Sequence, residues 1–245
     1  MLEINAQGMP YRELNRLIRE AVAAGEESFR LYNVCGQRYI GAGLRRPVYI
    51  EIHGVPGNDL GVFMDGPTIL VRDNGQDGVG NTMNDGRIVI HGDAGDVLGY
   101  GMRGGSLFIR GDVGYRVGIH MKAYREQVPV IVVGGTAGDF FGEYMAGGIM
   151  VLLGLYGGAR RPLAGDYLGT GMHGGVIYVR GRPEPYRLGK EVRVFELENG
   201  DAAILQPLLD RFAEHFGTEP LDVGREPFTK LLPVSHRPYG RLYAT

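Results

Sequence analysis

Residues 68–86 read TILVRDNGQDGVGNTMNDG, and residues 87–105 read RIVIHGDAGDVLGYGMRGG. These are two copies of one 19-residue unit, and further copies lie on both sides, with five extra residues in the fourth copy and eight in the sixth. The copies begin at Tyr49, Thr68, Arg87, Ser106, Val130, Ile149 and Val176. Self-similarity at a fixed period is typical of a solenoid, in which each unit buries its apolar face only by stacking on its neighbours.

Five positions of the unit carry the same kind of residue in every complete copy. Positions 2 and 4 are aliphatic or methionine, and because they are two residues apart, both side chains leave one face of a short strand. Position 12 is apolar, position 13 is always glycine and position 16 is always methionine. In residues 87–105 they are Ile88, Ile90, Leu98, Gly99 and Met102. The closely spaced glycines exclude helix and suit turns. The sequence therefore predicts an all-β fold, a β-helix of about seven turns.

The residues before the repeat predict a cap. Between Pro10 and Ala24, apolar side chains at helical spacing form one stripe, Pro10 suits the first turn and Gly25 suits the stop. A strand over Phe29–Val34 follows. Because unpaired solenoid ends recruit other chains, we expect this segment to cover the open end.

The residues after the repeat predict a strand, a helix and an extended arm. Val192–Leu197 has strand character. Asp201–Phe216 has helical character, and Pro207 either kinks that helix or marks its true start. Arg225–Thr245 has no clear periodicity, so it either lies along its own β-helix or docks on a partner through aromatic and arginine side chains.

Length and composition bound the function. With 245 residues and short flanks, the chain is predicted to be one structural domain made of a cap (1–47), the β-helix (48–190) and a carboxy-terminal part (191–245). The net charge of −2 gives no nucleic-acid footprint, and no apolar run is long enough to cross a membrane. The single cysteine, Cys35, excludes an internal disulfide framework and an iron–sulfur site. With no signal peptide, we expect a cytoplasmic protein.

Two features of the repeat allow a metal-site interpretation. Stacked methionine thioethers can ligate copper(I), but a flexible thioether also fills an irregular corner of a core. Gly-Asp pairs are typical of calcium-binding β-rolls, but those repeats have a nonapeptide period. The pairs are Gly92–Asp93, Gly95–Asp96, Gly138–Asp139 and Gly165–Asp166. We therefore predict core methionines, turn-forming aspartates and no metal ligand.

Two glycine motifs match the dinucleotide fingerprint G-x-G-x-x-G, at Gly99–Gly104 and Gly169–Gly174. That fingerprint binds phosphate only where it follows a strand and opens a helix. Here each copy leads into another predicted strand, Ser106–Arg110 or Val176–Arg180. We therefore interpret both as solenoid corners and assign no cofactor-binding residue.

No catalytic constellation is found. The six histidines fall on separate turns without HxxxH or HExxH spacing, and no GxSxG motif is present. We therefore assign no catalytic residue. The rival hypothesis is a β-helix transferase with its cleft between Lys122–Val128 and Leu155–Asp166, and with His120 and His173 as candidate bases.

Three features are candidate contacts with a partner protein. The insertions Lys122–Val128 and Leu155–Asp166 project from the rod, and solenoid insertions often form the binding face. The arm Arg225–Thr245 is the next candidate. The side chains at position 5 are predicted to form an outward-facing column, which either is solvated or contacts an acidic surface of a partner. Its members are His53, Arg72, His91 and Arg110.

The repeat, together with Asn33-Val34-Cys35-Gly36-Gln37-Arg38-Tyr39-Ile40-Gly41, resembles the GXGXG domain of glutamate synthase. The resemblance extends from Met9-Pro10-Tyr11-Arg12-Glu13-Leu14-Asn15 to the helix after the repeat. In the large subunit of glutamate synthase this carboxy-terminal domain is a right-handed β-helix, and the closer match is the version that forms a separate polypeptide. The resemblance therefore implies a single-stranded right-handed β-helix with short helical flanks.

The resemblance also implies a structural role in glutamate biosynthesis. The family's β-helix spaces and connects the glutaminase and synthase domains, whereas flavin, cluster and ammonia chemistry belong to other domains. We therefore expect a non-catalytic subunit of a glutamate-synthase-like oxidoreductase complex. It would hold no cofactor itself and would have an amidotransferase subunit and an FMN/iron–sulfur subunit as partners.

Related complexes are the alternatives. The same module is used in N-methylglutamate synthase and, more distantly, in formylmethanofuran dehydrogenase, where it is also a scaffold polypeptide. The amino acceptor, any activity of the isolated chain and self-association into a homo-oligomer are left open by the sequence.

Overall fold

A computed structural model describes residues 1–156 and 162–234 of the chain. In these residues the helices are α1 (Tyr11–Ala23) and α2 (Asp201–Phe216), with a 3-10 turn at Pro185–Arg187. The strands are β1 (Leu2–Asn5), β2 (Ser28–Cys35), β3 (Tyr49–Val55), β4 (Asp65–Val71), β5 (Asp85–Ile90), β6 (Ser106–Ile109), β7 (Val130–Val133), β8 (Ala146–Leu152), β9 (Gly174–Arg180), β10 (Val192–Glu196) and β11 (Phe228–Pro233). The described α-helices thus lie only in the two flanks, as the sequence predicts.

The 11 strands of the described residues form one sheet. From β1 to β9 each strand pairs in parallel with the next one along the chain. The register joins equivalent repeat positions, so that Ile69 pairs with Ile88, and Ile88 with Leu107. Each turn of chain therefore advances the structure by one strand, about 4.8 Å. This is the single-stranded β-helix that the sequence predicts.

The predicted apolar columns lie inside the solenoid. Ile88 and Ile90 of β5 and Leu98 of the following corner are fully buried, and the equivalent residues of the other turns are buried as well. All the methionines of position 16 are also buried and belong to the same apolar cluster. The thioethers therefore fill the corner of a continuous core.

Position 13 requires glycine for two reasons. Gly99 has φ +63°, a left-handed conformation that disfavours a side chain, and a Cβ atom there would lie 2.5 Å from Cδ1 of Ile131. The equivalent glycines also have left-handed φ; they are Gly61, Gly80, Gly118, Gly142 and Gly169. The predicted glycine requirement is confirmed.

The aspartates of the Gly-Asp pairs link successive turns. The backbone N–H of Asp93 donates to Oδ1 of Asn74, at 2.8 Å, and the N–H of Asp112 donates to Oδ1 of Asp93, at 2.8 Å. A second ladder runs through position 10, where the N–H of Asp96 donates to Oδ1 of Asp77, at 2.9 Å. The prediction of turn-forming aspartates was incomplete, because these side chains bond the backbone of the neighbouring turn.

The ladders also explain the glycine that precedes each residue whose backbone N–H they bond. A Cβ atom at Gly111 would collide with the carboxylate of Asp93 from the turn before. Gly92, Gly95, Gly114, Gly135 and Gly165 are restricted in the same way. The two residues of such a Gly-Asp pair therefore act together. The glycine leaves room for the carboxylate of the preceding turn, and the backbone N–H of the aspartate donates to that carboxylate.

The solenoid begins one turn earlier than the sequence repeat shows. Residues 28–48 form a turn that starts with β2, and Phe29, Leu31, Ile40 and Leu44 are buried in the same core as the repeat columns. This turn does not match the 19-residue repeat, because it has two extra residues and a leucine at the position of the methionine. Helix α1 then packs its buried residues Leu14, Ile18 and Val22 into that core.

Helix α2 lies on the outer face of the sheet. Its Leu205, Leu209 and Phe212 form a second apolar cluster with the side chains of repeat position 3, which point away from the solenoid interior. Those side chains are Val89, Phe108, Val132, Val151 and Tyr178. Sixteen residues make a helix about 24 Å long, which is enough to cross β5 to β9, about 19 Å apart.

The carboxy-terminal residues decide between alternatives that the sequence left open. Helix α2 begins at Asp201, so Pro207 lies inside it and does not mark its start. Part of the predicted arm, Phe228–Pro233, is β11, which pairs antiparallel with both β9 and β10. Residues 235–245 of the arm lie outside the described residues. The pairing leaves β1 and β10 as the two edge strands of the sheet.

Candidate interaction surfaces

The insertion Lys122–Val128 contains an isolated antiparallel β-bridge. Tyr124 and Gln127 exchange two backbone hydrogen bonds of 3.0 Å. Together with Lys122 and Arg103 they line an open cleft of about 580 Å³. The chain then enters β7, so this cleft lies at the amino ends of the parallel strands.

The insertion Leu155–Asp166 lies at the opposite ends of the strands, because it follows β8; its residues 157–161 are outside the described part of the chain. The guanidinium carbon of Arg110 stands 5.5 Å from the ring centre of Tyr156. These side chains line a cleft of about 270 Å³ with His91 and Asp93. The described residues of the two insertions therefore lie at opposite ends of the strands and line two different clefts.

The two histidines of the rival transferase hypothesis lie apart. His120 is exposed and stacks on the ring of Tyr144, with centroids 5.3 Å apart. Nδ1 of His173 lies 3.2 Å from the backbone oxygen of Gly171. No hydrogen bond or ring contact joins the two histidines in the described residues.

The position 5 column faces outward as predicted, and α2 reaches one of its members. The ring of His91 packs edge-on against Phe216, with centroids 5.2 Å apart. Burial and the nearby Arg72 and Arg110 lower the pKa of His91. His91 is therefore neutral at pH 7, and it does not contribute a positive charge to a stripe for an acidic partner.

Beyond the end of α2, the outer face of the sheet becomes charged. Glu51 is buried, and it accepts hydrogen bonds from Nε of Arg30, at 3.1 Å, and from Nε of Arg72, at 2.9 Å. Although burial alone would raise its pKa, these two arginines hold the pKa of Glu51 below its ordinary value. Position 3 is therefore apolar in the strands that α2 covers. In β3, the same position is Glu51, which belongs to a charged network.

A further surface, absent from the sequence-based prediction, lies at the corner that contains positions 10 to 15. We call it the corner face and define it as Tyr100, Arg116, His120, Phe140, Tyr144 and Tyr167. The rings of Phe140 and Tyr167 stack with centroids 5.0 Å apart and planes 9° apart. Arg116 covers Phe140 and forms a 2.7 Å ion pair with Glu143. Tyrosine, phenylalanine and arginine side chains of successive turns therefore form one ordered array.

Most of these residues have an unusual backbone conformation. Arg116, Phe140 and Tyr167 occupy position 11 with φ between +56° and +63°, and His120 and Tyr144 occupy position 15 with φ +56° and +51°. A residue other than glycine in this left-handed conformation lowers the stability of the fold by about 1 kcal/mol or more. The signal in the sequence is that these two positions hold glycine in some turns, namely Gly78, Gly101 and Gly171, and a larger side chain in the others.

The two sequence motifs of the amino-terminal part meet in space. Nε2 of Gln37 donates to the backbone oxygen of Met9, at 3.0 Å, and Nδ2 of Asn15 donates to the backbone oxygen of Arg38, at 2.8 Å. Both polar side chains are buried. The Asn33–Gly41 motif therefore fastens the cap to the first turn of the solenoid.

The described residues contain neither a group of three or more His, Cys, Asp or Glu side chains that could hold a metal ion, nor a helix long and apolar enough to span a membrane.

Comparison with known proteins agrees with this architecture. The model of the GXGXG motif family matches residues 26–223, which include the solenoid and α2. This chain belongs to the GXGXG family. It is also similar to an uncharacterized protein of Methanocaldococcus jannaschii, with 47% identity over 249 residues that cover 98% of this chain and 95% of that protein.

The glycine motifs of this GXGXG protein are solenoid corners. Gly99 and Gly101 have left-handed φ, and a Cβ atom at Gly104 would collide with the backbone oxygen of Asn84. The motif then leads into β6, so no helix amino terminus follows to receive a phosphate. The second copy, Gly169–Gly174, leads into β9 in the same way.

Proposed function

We propose that this GXGXG protein is a non-catalytic structural subunit of a glutamate-synthase-like complex. The observation that carries the proposal is the match of the GXGXG family to residues 26–223, which include every turn of a rigid rod. The rod would space and connect an amidotransferase subunit and an FMN/iron–sulfur subunit. Flavin and clusters would lie in those partners, and the chain would act in glutamate biosynthesis.

The architecture supports a spacing role. Seven strand intervals from β2 to β9 give a rod of about 34 Å, and the methionine core and the aspartate ladders tie each turn to the next one. A solenoid of this kind holds two partners at a fixed separation, because each turn contacts its neighbours and bending requires the core to repack.

Reconstitution tests the proposal. The chain is purified alone and mixed with the amidotransferase-type and FMN-binding subunits encoded near it, and assembly is measured by size-exclusion chromatography with light scattering. We expect a stoichiometric complex in which glutamine-dependent, FMN-linked synthesis requires the chain. Glutamine hydrolysis by the amidotransferase subunit alone and ammonia-dependent synthesis by the FMN subunit serve as controls that should not require it.

Two results would contradict the proposal. The first is an isolated chain that turns over glutamine or purifies with a stoichiometric flavin. The second is the absence of affinity for either subunit.

A further inference from the structure

The corner face has side chains that the fold does not need. At positions 11 and 15, Gly78, Gly101 and Gly171 occupy the same left-handed conformation as their aromatic equivalents. The backbone of the corner therefore forms with glycine alone. Each large side chain at these positions adds a conformational cost of about 1 kcal/mol, which glycine at the same position does not have.

The tyrosines among these side chains are only about half buried. Tyr144 and Tyr167 are 48% and 55% exposed. Their rings are nevertheless held in place, because Tyr144 stacks on His120 and Tyr167 on Phe140, each pair with planes 9° apart. Ordered, exposed tyrosines beside an arginine are typical of the residues that dominate protein–protein binding, since little side-chain freedom remains to be lost.

The charges around the corner face indicate the chemistry of the partner. Along one edge, position 10 presents the carboxylates of Asp77, Asp96 and Asp139, whereas that of Asp166 is ion-paired with Arg187, at 2.6 Å. In the first three residues Oδ1 accepts a backbone N–H of the next turn, and this neutral donor leaves the negative charge in place. Along the other edge, position 17 has the exposed Arg103 and Lys122 in the third and fourth turns of the repeat, and Asp65 in the first turn. In the middle of the rod the two edges therefore differ in sign, which favours one orientation of a partner.

We propose that the corner face binds a partner protein whose surface has an apolar centre and arginine or lysine side chains on the edge that meets the aspartates. This assignment rests on the proposed function, since the partner would be one of the two subunits of the complex. A protein is the expected occupant because the rings project from the outside of a rod, whereas small-molecule sites are concave.

The binding test uses Tyr144→Gly/Tyr167→Gly, which introduces the residue already present at equivalent corners. The wild-type chain and the variant are titrated against the purified amidotransferase-type and FMN-binding subunits by biolayer interferometry. We expect the variant to keep its circular dichroism spectrum and to bind one subunit at least about tenfold more weakly. Ile204→Ala, which shortens an exposed apolar side chain on α2, is the control and should bind as the wild type does.

The charge test uses Asp77→Asn/Asp96→Asn/Asp139→Asn. Asparagine keeps the Oδ1 acceptor, as Asn74 does in the neighbouring ladder, and removes only the charge. We expect unchanged thermal stability, weaker binding at low salt and a shallower dependence of the dissociation constant on salt.

The outcomes separate the two proposals. Wild-type binding with unchanged affinity in both variants would overturn the assignment of the corner face and leave the proposed function in place. Loss of folding in the glycine variant would show that the rings are structural and would also overturn the assignment. A wild-type chain that binds neither subunit would refute the proposed function and this assignment together.

Discussion

Position 16 of every complete repeat holds a buried methionine, whereas position 15, the residue beside it, holds Phe63, Thr82, Gly101, His120, Tyr144 or Gly171. Both positions occur in the same turns. The interior allows one shape of side chain because the core is packed in three dimensions. The corner holds side chains of several sizes at a conformational cost, so we infer that its composition reflects another requirement. We infer that the positions with the same residue in every turn are required for folding, and that the residues at the variable, left-handed positions serve binding to a partner.

The largest effect is expected inside the rod. Ile90→Ala removes a fully buried side chain of position 4 and leaves a cavity, so the free energy of unfolding should fall by about 2–5 kcal/mol. Urea denaturation followed by circular dichroism measures it. Leu155→Ala, in a partly buried insertion outside the repeat columns, is the control and should lose less. An Ile90→Ala variant as stable as the wild type would contradict the assignment of the column to the core.

The carboxylate at the start of α2 can be compared with the apolar columns, because it is a polar group that the fold also buries. Asp201 is buried and accepts hydrogen bonds from the hydroxyl of Tyr178, at 2.7 Å, and from Nζ of Lys230, at 2.8 Å. Removing its charge by Asp201→Asn should cost about 1.5–3 kcal/mol at pH 7. Chemical denaturation of both proteins measures this difference.

The same pair of proteins has an expected pH dependence. Burial alone would raise the pKa of Asp201, but hydrogen bonds from the backbone N–H of Glu198, from Lys230 and from Tyr178 hold the pKa below its ordinary value. A lowered pKa in the folded state adds stability above the unfolded pKa, about 3.9, and this stability is lost as the pH falls through the folded pKa. The difference between wild type and Asp201→Asn should therefore be constant from pH 7 to about 5 and shrink below about 4. A constant difference down to the acid limit of folding would contradict this.

A smaller effect is expected where one turn meets the next. Gly111→Ala places a methyl group against the carboxylate of Asp93, so it should cost about 1–3 kcal/mol. In an Asp93→Ala background the same substitution should cost less, because the carboxylate that blocks the methyl group is gone. A double-mutant cycle of unfolding free energies measures this coupling. Additive costs would show that Gly111 and Asp93 do not act together.

The smallest effect has the opposite sign. Val97 is a β-branched residue at position 11 with φ +54°, where Gly78 stands one turn earlier. Val97→Gly should therefore raise the free energy of unfolding by about 1 kcal/mol. Differential scanning calorimetry of the variant and of the wild type tests the sign, and a clear loss of stability would show that the corner needs its side chains.

The sequence predicted the parts of the fold that depend on local pattern. The apolar columns follow from the spacing of Ile88 and Ile90, the glycine corners follow from Gly99, and the limits of α2 were correct at both ends, Asp201 and Phe216. These features need only the period of a strand, the conformational range of glycine and the amphipathic pattern of a helix.

The remaining features depend on contacts between distant residues. Nothing local places α2 on the outer face of the sheet, although the apolar side chains Val89 and Phe108 at position 3 indicated that this face is covered. The strand β11 was missed because its partners, β9 and β10, supply its hydrogen bonds. The corner face was missed because positive φ at Phe140 or Tyr144 is set by the turn and is not readable from an aromatic residue.

The central claim is that the side chains of the corner face serve binding and that the fold does not require them. The most direct test is the free energy of unfolding of Phe140→Gly/Tyr144→Gly/Tyr167→Gly, measured by urea denaturation. Relief of three left-handed residues, about 1 kcal/mol each, should offset the loss of two ring stacks, about 0.5–1.5 kcal/mol each, and of the cation–π contact between Arg116 and Phe140, about 0.5–1 kcal/mol. We therefore predict a value within about 1 kcal/mol of wild type. A loss as large as that of a buried column residue would contradict the claim.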